Sequence, residues 1–332
     1  MSTHPLLRVS NLHVRYPIKT GLLQRTTSEV KAVNGVSFDV APGEAFGIVG
    51  ESGCGKTTVA RAILRLLASS AGEIEYEGQD VTTLDNKQLA PYRRKVQAVF
   101  QDPFSSLNPR KTTLDILSEP LLVHALADDA SVKQRVRELL EMVELPARFI
   151  ELFPHEMSGG QRQRVGIARA LSMQPQLIIC DEAVSALDVS IQAQIINLLA
   201  RLQTELGLTY VFIGHDLSVV RHLCNRVAVM YLGRVMEIAD SQVLFSQPQH
   251  PYTKALLDAV PNPDPFSEAH REIEPLQGEV PNPSTPPAGC VFHTRCPVVR
   301  AQCHLSVPPL IKLSPRQSAA CLLVQDSGSG AT

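Results

Sequence analysis

The sequence predicts an α/β fold, because short apolar segments typical of buried strands alternate with segments of helical periodicity. The apolar run AFGIVG at 45–50 enters a glycine-rich loop, and residues 58–67 follow with helical spacing. A strand, a glycine loop and a helix in this order begin an α/β unit. Further buried strands are predicted at 177–181, 209–216 and 226–233, and amphipathic helices at 132–145 and 191–207.

Two regions outside this core have a different pattern. Near the N-terminus, residues 6–16 and 31–40 alternate apolar and polar side chains, which predicts half-exposed β-strands. Residues 17–30 between them are polar and contain glycine, so we expect an insertion between the two strands. Prolines are frequent from Pro248 to Pro287, which predicts a loosely packed C-terminal region.

The composition excludes several classes of protein. Of the 332 residues, 44% are apolar and 19% are charged, which is ordinary for a folded globular chain. The formal net charge of −2 gives no basic signature for binding nucleic acid. No apolar run approaches the roughly 20 residues that cross a bilayer, and the first residues lack the layout of a signal peptide. We therefore expect a soluble, non-exported protein that acts at a membrane only through partners.

The glycine-rich loop matches a phosphate-binding pattern. Residues 50–57, GESGCGKT, fit G-x-x-x-x-G-K-[ST] at every fixed position. Its backbone N–H groups and the following helix N-terminus suit phosphate oxygens, Lys56 suits the β- and γ-phosphates, and the Thr57 hydroxyl suits Mg²⁺. A glycine-rich turn that matches by chance is the alternative, and the position between a strand and a helix argues against it.

Two more segments carry candidate chemistry. Asp181 and Glu182 end the apolar run LIIC; they are candidates for holding the Mg²⁺ shell and for accepting a proton from attacking water, respectively. The alternative is a pair of surface acids that caps the next segment. In SGGQ at 158–161, Ser158 and Gln161 predict a helix capping box, and the two glycines between them also suit a phosphate contact.

The order of these motifs resembles that of ABC ATPases. The family's segments occur in sequence as the P-loop, VFQDP at 99–103, MSGGQRQR at 157–164, IICDE at 178–182, SALD at 185–188 and the histidine of IGHD at 213–216. Of these, SGGQ is the element that separates ABC proteins from other P-loop enzymes. The resemblance implies a RecA-like core that binds ATP with Mg²⁺ and hydrolyses the ATP.

The resemblance also implies roles for single residues. Gln101 is expected to touch Mg²⁺ or the attacking water, and His215 to contact the γ-phosphate, so both join Glu182 as catalytic residues. Asp188 belongs to a loop at the dimer interface, and Tyr16 is the candidate for stacking on adenine, with a buried strand tyrosine as the alternative. The expected Mg²⁺ contacts come from Thr57, Gln101 and Asp181.

The expected nucleotide contacts extend over both subunits of a head-to-tail dimer. The SGGQ segment of one subunit would act in trans on ATP held by the P-loop of the other. The full set of expected nucleotide-binding residues is Tyr16, Gly50, Ser52, Gly53, Cys54, Gly55, Lys56, Thr57, Thr58, Gln101, Ser158, Gly159, Gly160, Gln161, Asp181 and Asp188.

A narrower resemblance covers almost the whole chain. The segments VFQDPFSSLNPR, CDEAVSALDVSIQAQIINLL, QPQHPYTKALL and GCVFHTRC are similar to those in the second ATPase subunit of bacterial dipeptide/oligopeptide importers. Two positions depart from that pattern: Met157 stands where Leu is usual, and Ala183 stands where Pro is usual. The second change removes a restraint on the backbone next to Glu182.

This resemblance implies a set of partners and a location. We expect a heterodimer with a second ATPase subunit, two membrane permeases and an exported solute-binding protein, at the cytoplasmic face of the inner membrane, and no nucleic acid. Nickel, glutathione or another small solute is the alternative to a peptide as cargo. A soluble ABC ATPase without a channel and a non-hydrolysing regulatory subunit are the competing functions.

Four cysteines close to the C-terminus predict a further site. Their spacing, Cys290-x5-Cys296-x6-Cys303-x17-Cys321, matches no common zinc-ribbon or ferredoxin pattern and by itself indicates only a candidate metal site, with Zn²⁺ slightly favoured. The resemblance to peptide-importer ATPases implies a [4Fe–4S] cluster that staples the tail. His293 and His304 are spare ligands in this hypothesis, and four small buried side chains are the alternative.

The expected architecture combines these parts. Residues 1–245 form the ATPase domain, with an antiparallel β subdomain near the N-terminus and a helical subdomain at about 102–165 that carries SGGQ. Residues 246–332 form a Cys-rich C-terminal extension of the oligopeptide-transporter type.

Overall fold

The computed structural model describes residues 4–20, 25–101, 106–259 and 276–324. Three predicted features fall partly or wholly outside these ranges. They are residues 102 and 103 of the VFQDP segment, the first residues of the predicted helical subdomain, and the middle of the proline-rich stretch.

The elements follow one another as strands and helices of an α/β chain. The strands are β1 Leu7–Thr20, β2 Arg25–Val40, β3 Ala45–Val49, β4 Ala71–Tyr76, β5 Gln79–Asp80, β6 Val96–Phe100, β7 Leu177–Asp181, β8 Thr209–Ile213, β9 Arg226–Tyr231, β10 Arg234–Asp240, β11 Ile311–Ser314 and β12 Gln317–Ala319. The helices are α1 Lys56–Ile63, α2 Leu89–Lys95, α3 Thr113–Val123, α4 Val132–Met142, α5 Gly159–Leu171, α6 Val189–Leu206, α7 Leu217–Leu223, α8 Ser241–Ser246 and α9 Pro251–Asp258.

The described residues form two compact units that interleave along the chain. The first unit takes its residues from Met1–Leu7, Val40–Ala45 and Tyr76–Gly214, and the second from Arg8–Asp39, Phe46–Glu75 and His215–Thr332. The first unit therefore carries the acidic pair and SGGQ, and the second carries the P-loop and the cysteines.

The first unit is built on three parallel strands in the order β6-β7-β8. Every residue of β7 and β8 is buried, which is the pattern of parallel strands covered on both faces. The register aligns Phe100 with Asp181 and Asp181 with Ile213, so the three strands end together. Helices α3 to α6 belong to the same unit, and α6 ends as expected at Gly207, which has the left-handed φ of 65°.

The second unit contains parallel and antiparallel strands. β3 runs parallel to β9, and β9, β10, β12 and β11 follow one another antiparallel. A second sheet has the strand order β2-β1-β4. The predicted buried strands at 45–50 and 226–233 are thus confirmed as β3 and β9.

One expectation for this unit is wrong. Residues 17–20 and 25–30 are not an insertion between strands but extend β1 and β2. Paired strands satisfy their backbone hydrogen bonds with each other, so a strand can continue through polar sequence. The apolar alternation therefore predicted only part of each strand.

Within the stretch Pro248–Pro287 that is predicted to be loosely packed, α9 packs closely, whereas none of the described residues 276–287 is buried. Pro251 occupies the first turn of α9, where its missing N–H costs nothing, and Tyr252 beside it is fully buried. Phe292 is likewise fully buried, with its ring centroid 5.4 Å from that of Tyr231 and 5.3 Å from that of Tyr252. In the described residues, this aromatic cluster and the β10–β12 pairing anchor the tail.

Candidate functional site

The P-loop requires glycine at two positions for geometric reasons. Gly50 follows β3 directly and has φ +152°; a Cβ atom there would lie 2.1 Å from the carbonyl oxygen of Met230. Gly55 precedes α1 with φ +108°, and its Cβ would lie 2.2 Å from the carbonyl oxygen of Ala32. Neither contact is possible for a larger residue without a backbone shift, so the strand–loop–helix path depends on these glycines.

The loop presents donors to an anion. The N-cap of α1 is Gly55, which supplies no side-chain cap, and a helix N-terminus is a favourable place for an anion. Lys56 is 5% exposed, and its Nζ donates to the carbonyl oxygens of Gly50 at 2.8 Å and Glu51 at 3.0 Å. Ser52 and Gly53 at the tip of the loop are exposed. A cation and a helix N-terminus without a side-chain cap thus adjoin one short loop.

The acidic pair lies at the end of β7 in the first unit. Asp181 is 7% exposed, and Glu182 has the left-handed φ of 50°, which is rare for a residue with a side chain. The Glu182 N–H donates to the Ile213 carbonyl at 2.8 Å. The Glu182 carbonyl accepts from the Ser185 N–H at 3.1 Å and from the Ser185 hydroxyl at 3.0 Å. These three bonds hold the Glu182 backbone in place even though Ala183 replaces the usual proline.

Gln101 lies beside this pair. It is the exposed residue that follows β6, and Phe100 before it is opposite Asp181 in the parallel register. The structure therefore places Gln101 and the acidic pair at the carboxyl ends of neighbouring parallel strands within the first unit.

The SGGQ segment forms the predicted capping box. Ser158 is the N-cap of α5; its Oγ accepts from the Gln161 N–H at 3.3 Å, and its own N–H donates to Oε1 of Gln161 at 2.9 Å. Gly160 is buried, and a Cβ there would lie 2.4 Å from Cγ2 of Ile191 on α6. This glycine is thus required for helix packing, a reason that the sequence did not reveal.

Three further candidates are exposed at the surface of their units. Asp188 is the N-cap of α6, but its side chain makes no capping hydrogen bond. His215 precedes α7, which is capped instead by Asp216. Tyr16 on β1 is 36% exposed, so it is not a buried strand tyrosine.

The four C-terminal cysteines lie near one another as free thiols. Cys290, Cys303 and Cys321 are each 8% exposed, and Cys296 is half-buried. Burial, together with the charges of the other three cysteines, raises the pKa of Cys290 to about 11. Among the described residues, however, no group of three or more His, Cys, Asp or Glu side chains is placed to hold a metal ion. A metal site is therefore not preformed.

The two histidines beside these cysteines contact each other. The ring centroids of His293 and His304 are 4.3 Å apart, and Nδ1 of His293 lies 2.8 Å from the Cys290 carbonyl oxygen. Nδ1 of His293 is thus already engaged with the backbone rather than directed to the thiols.

The sequence analysis missed two residues that contact the P-loop. The Tyr252 hydroxyl accepts from the Glu51 N–H at 3.0 Å, and the Arg295 guanidinium lies 2.7 Å from a Glu51 carboxylate oxygen. Their segments, QPQHPYTKALL and GCVFHTRC, contributed to the sequence interpretation only as family resemblance. No local pattern connects them to residue 51.

A buried strand, a glycine loop and a helix that begins with lysine define the class of P-loop nucleotide-binding proteins. A family model described as ABC transporter matches residues 33–185, and one described as the oligopeptide/dipeptide transporter C-terminal region matches residues 236–303. A putative peptide import ATP-binding protein of Brucella ovis is 50% identical over 322 residues, which cover 97% of this chain and 99% of the relative. The oligopeptide transport ATP-binding protein AppF of Bacillus subtilis is 50% identical over 319 residues, which cover 96% of this chain and 97% of the relative. The chain belongs to the family of ABC transporter ATP-binding proteins.

Solved structures agree with this assignment. A dimeric ATP-binding cassette in a post-hydrolysis state, bound to ADP and Pi, matches with a TM-score of 0.63 and 32% identity over 71% of this chain and 98% of that one. The cbiO1 protein of Clostridium perfringens, part of an ABC transporter complex, matches with a TM-score of 0.63 and 27% identity. The match covers 73% of this chain and 91% of that one. The predicted α/β fold class and the predicted ABC ATPase activity are confirmed.

Among the helices of the described residues, none is both long enough and apolar enough to cross a bilayer.

Proposed function

We propose that this chain hydrolyses ATP to drive the uptake of di- or oligopeptides through separate membrane permeases. The observation that carries the proposal is 50% identity along nearly the whole chain to peptide and oligopeptide transport ATP-binding proteins. The match to the oligopeptide/dipeptide transporter C-terminal region supports the same cargo. Uptake of labelled peptides by the assembled transporter tests the proposal. Uptake of nickel or glutathione without peptide uptake would contradict it.

In the ATP site, the P-loop residues of 50–58 hold the phosphates. Lys56 exchanges its present bonds to loop carbonyls for the β- and γ-phosphate oxygens, and the N-terminus of α1 adds its favourable dipole. Thr57, Asp181 and Gln101 offer the oxygen ligands that Mg²⁺ prefers, so the residues present fit this ion, which supplies charge neutralisation at the phosphates. Tyr16, exposed on β1, stacks on the adenine.

Glu182 is the general base, with Gln101 and His215 orienting the water and the γ-phosphate. The support is the backbone of Glu182, since a left-handed residue held by three hydrogen bonds extends its side chain from a fixed position at the end of β7. Positioning and charge neutralisation then account for phosphoryl transfer to water.

Glu182→Gln tests this role. ATP turnover should fall about 10²–10⁴-fold, the usual cost of losing a general base, while ATP binding is retained. Glu205→Gln is the matched control, because Glu205 forms only an exposed ion pair with Arg201 on α6. Steady-state hydrolysis and nucleotide titration of the assembled transporter measure both effects. Near-normal hydrolysis by Glu182→Gln would contradict the assignment.

The ATP site is completed by a second ATPase subunit in a head-to-tail dimer. Ser158, Gly159, Gly160 and Gln161 of one subunit approach ATP on the P-loop of the other, and Asp188 lies at the same interface. The support is the exposure of Ser158 and Asp188 and the dimeric state of the similar cassette with ADP and Pi. Co-purification with a second ATPase of different sequence would support a heterodimer.

The remaining partners follow from the proposed import of peptides. They are two integral membrane permeases and an exported solute-binding protein, with this chain at the cytoplasmic face of the inner membrane. The ATPase domain spans residues 1–245 and the extension residues 246–332. The supports are the peptide-transport functions for which the relatives are named and the two separate family-model matches.

The four cysteines bind a [4Fe–4S] cluster, with Zn²⁺ as the alternative. Four soft donors near one another, three of them almost fully buried, support this proposal. Because the described side chains form no ready ligand group, the thiols must turn toward a common point to bind metal.

Metal analysis of the protein purified without oxygen tests the cysteine proposal. A cluster gives a brown protein with iron and acid-labile sulfide, and Cys296→Ser should lose both while Cys224→Ser, outside the cluster, keeps them. Stoichiometric zinc without iron would establish a zinc clasp instead. Neither metal, with all four thiols free and the tail ordered, would leave them as ordinary packing residues.

A further inference from the structure

The C-terminal region contacts the P-loop through one charged pair. Arg295 lies in the short turn His293–Arg295 between Cys290 and Cys296, and its Nη1 donates to Oε2 of Glu51 at 2.7 Å. The Arg295 side chain is 7% exposed and that of Glu51 24%, so the pair is largely removed from solvent. Such a pair is costly to break, because the remaining charge stays buried without compensation.

Glu51 connects this pair to the phosphate-binding part of the loop. Its N–H donates to the Tyr252 hydroxyl at 3.0 Å, and its carbonyl accepts from Nζ of Lys56 at 3.0 Å and from the Cys54 N–H at 3.3 Å. A movement of the Glu51 side chain would thus displace the same residue whose carbonyl holds Lys56. Arg295 therefore holds the side chain of Glu51, while Tyr252 and Lys56 hold its backbone.

The negative charge of Glu51 would oppose phosphate binding unless Arg295 neutralised it. A carboxylate in a loop that binds phosphates repels them, and the repulsion is strong where water is partly excluded. An arginine side chain stays protonated in proteins, and the Arg295 guanidinium lies 2.7 Å from the Glu51 carboxylate. The guanidinium therefore keeps its charge and neutralises the carboxylate.

Packing fixes Arg295 in this position. Its guanidinium carbon lies 5.8 Å from the Tyr231 ring centroid, within the range of a cation–π contact. The Tyr231 ring in turn packs on Tyr252 at 4.7 Å and on Phe292, three residues before Arg295, at 5.4 Å. The aromatic cluster thus supports both residues that contact Glu51.

We propose that Arg295 of the Cys-containing extension is a positioning residue for ATP binding, which neutralises Glu51 and holds the P-loop ready for phosphates. The inference rests on the proposed role of residues 50–57 in binding ATP. Through Arg295, the extension contributes to ATP binding as well as to the structure of the tail.

The test compares ATP kinetics of the assembled transporter carrying Arg295→Gln, Arg295→Lys, Glu51→Gln or the double change. Arg295→Gln should raise the KM for ATP about tenfold with little change in kcat, since it leaves a negative charge beside the phosphates. Arg295→Lys should restore most of the affinity. The double variant should return KM to within about twofold of Glu51→Gln alone, because neither charge is then left unpaired.

Two measurements separate positioning from a merely structural effect. Arg295→Gln should weaken ADP binding less than ATP binding, because ADP carries less negative charge, whereas a distorted loop would affect both alike. Arg316→Gln is the matched control: Arg316 also pairs with an acid of this unit, but it is 58% exposed, and its partner Asp240 ends β10 rather than lying in the P-loop. Its KM should not change.

Two results would contradict this role of Arg295. An unchanged KM in Arg295→Gln, or the same increase with and without Glu51→Gln, would overturn the inference. The proposed function is tested separately by the parent protein and by Lys56→Ala: if the parent binds and hydrolyses ATP and Lys56→Ala does not, the P-loop assignment stands whatever Arg295 does.

Discussion

The P-loop and the SGGQ segment both place glycines at the N-terminus of a helix, but the two helices begin differently. The helix after the P-loop, α1, has Gly55 as its N-cap and no side-chain cap. The helix after SGGQ, α5, is closed by the reciprocal bonds of Ser158 and Gln161. No side chain caps the first terminus, whereas at the second the cap satisfies two donors.

The glycines also differ in their physical reason. Gly55 needs a positive φ and has a carbonyl oxygen where a Cβ would lie, so backbone geometry requires it. Gly160 is helical and has the side chain of Ile191 in that place, so helix packing requires it. The comparison teaches that a glycine at a helix start can have different roles, and the two kinds of clash predict different mutational behaviour.

The largest effect is expected for Gly55→Ala. Since the Ala32 carbonyl belongs to backbone, it cannot rotate away, and we expect a loss of about 3 kcal/mol in the free energy of unfolding together with loss of ATP binding. Gly53→Ala is the matched control: φ is +76°, but nothing lies within 4 Å of the new Cβ, so only about 1 kcal/mol is expected. Urea unfolding and ATP titration measure both. Equal losses would refute the clash with Ala32.

A smaller effect is expected for Gly160→Ala. The new methyl group meets Cγ2 of Ile191, and overpacking of this kind costs about 2 kcal/mol in the free energy of unfolding. Ile191→Ala removes that methyl group, so the double variant should unfold with nearly the stability of Ile191→Ala alone. If hydrolysis also recovers in the double variant, packing explains the glycine. Stability that recovers without hydrolysis would indicate that phosphate approach requires it as well.

The smallest effect concerns the cap. Ser158→Ala should cost about 1 kcal/mol in the free energy of unfolding, whereas Ser158→Asp should cost little, because aspartate is a good N-cap. If SGGQ approaches the γ-phosphate of ATP in trans, Ser158→Asp should nevertheless impair hydrolysis at the partner's site, since it adds a negative charge there. Hydrolysis that follows stability in both variants would leave Ser158 with the capping role alone.

Local chemistry explains why much of this protein was predictable from sequence. The strands at 45–50 and 177–181, the helix ending at Gly207 and the Ser158–Gln161 cap all depend on residues within a few positions of one another. Hydrophobic periodicity and capping preferences report such short-range interactions directly. The P-loop pattern belongs to the same group, because the residues that form it lie within eight positions of one another.

Other features depend on contacts between distant parts of the chain. The Gly160–Ile191 packing and the full length of the β1–β2 pair became evident only from the folded structure, and Arg295 meets Glu51 across 244 residues of sequence. No local pattern specifies such partners, because the fold brings them together by burial of apolar surface elsewhere, here the Tyr231–Tyr252–Phe292 cluster. The sequence alone therefore determined the phosphate-binding loop and its chemistry, whereas tertiary packing decided which C-terminal residues hold that loop in place.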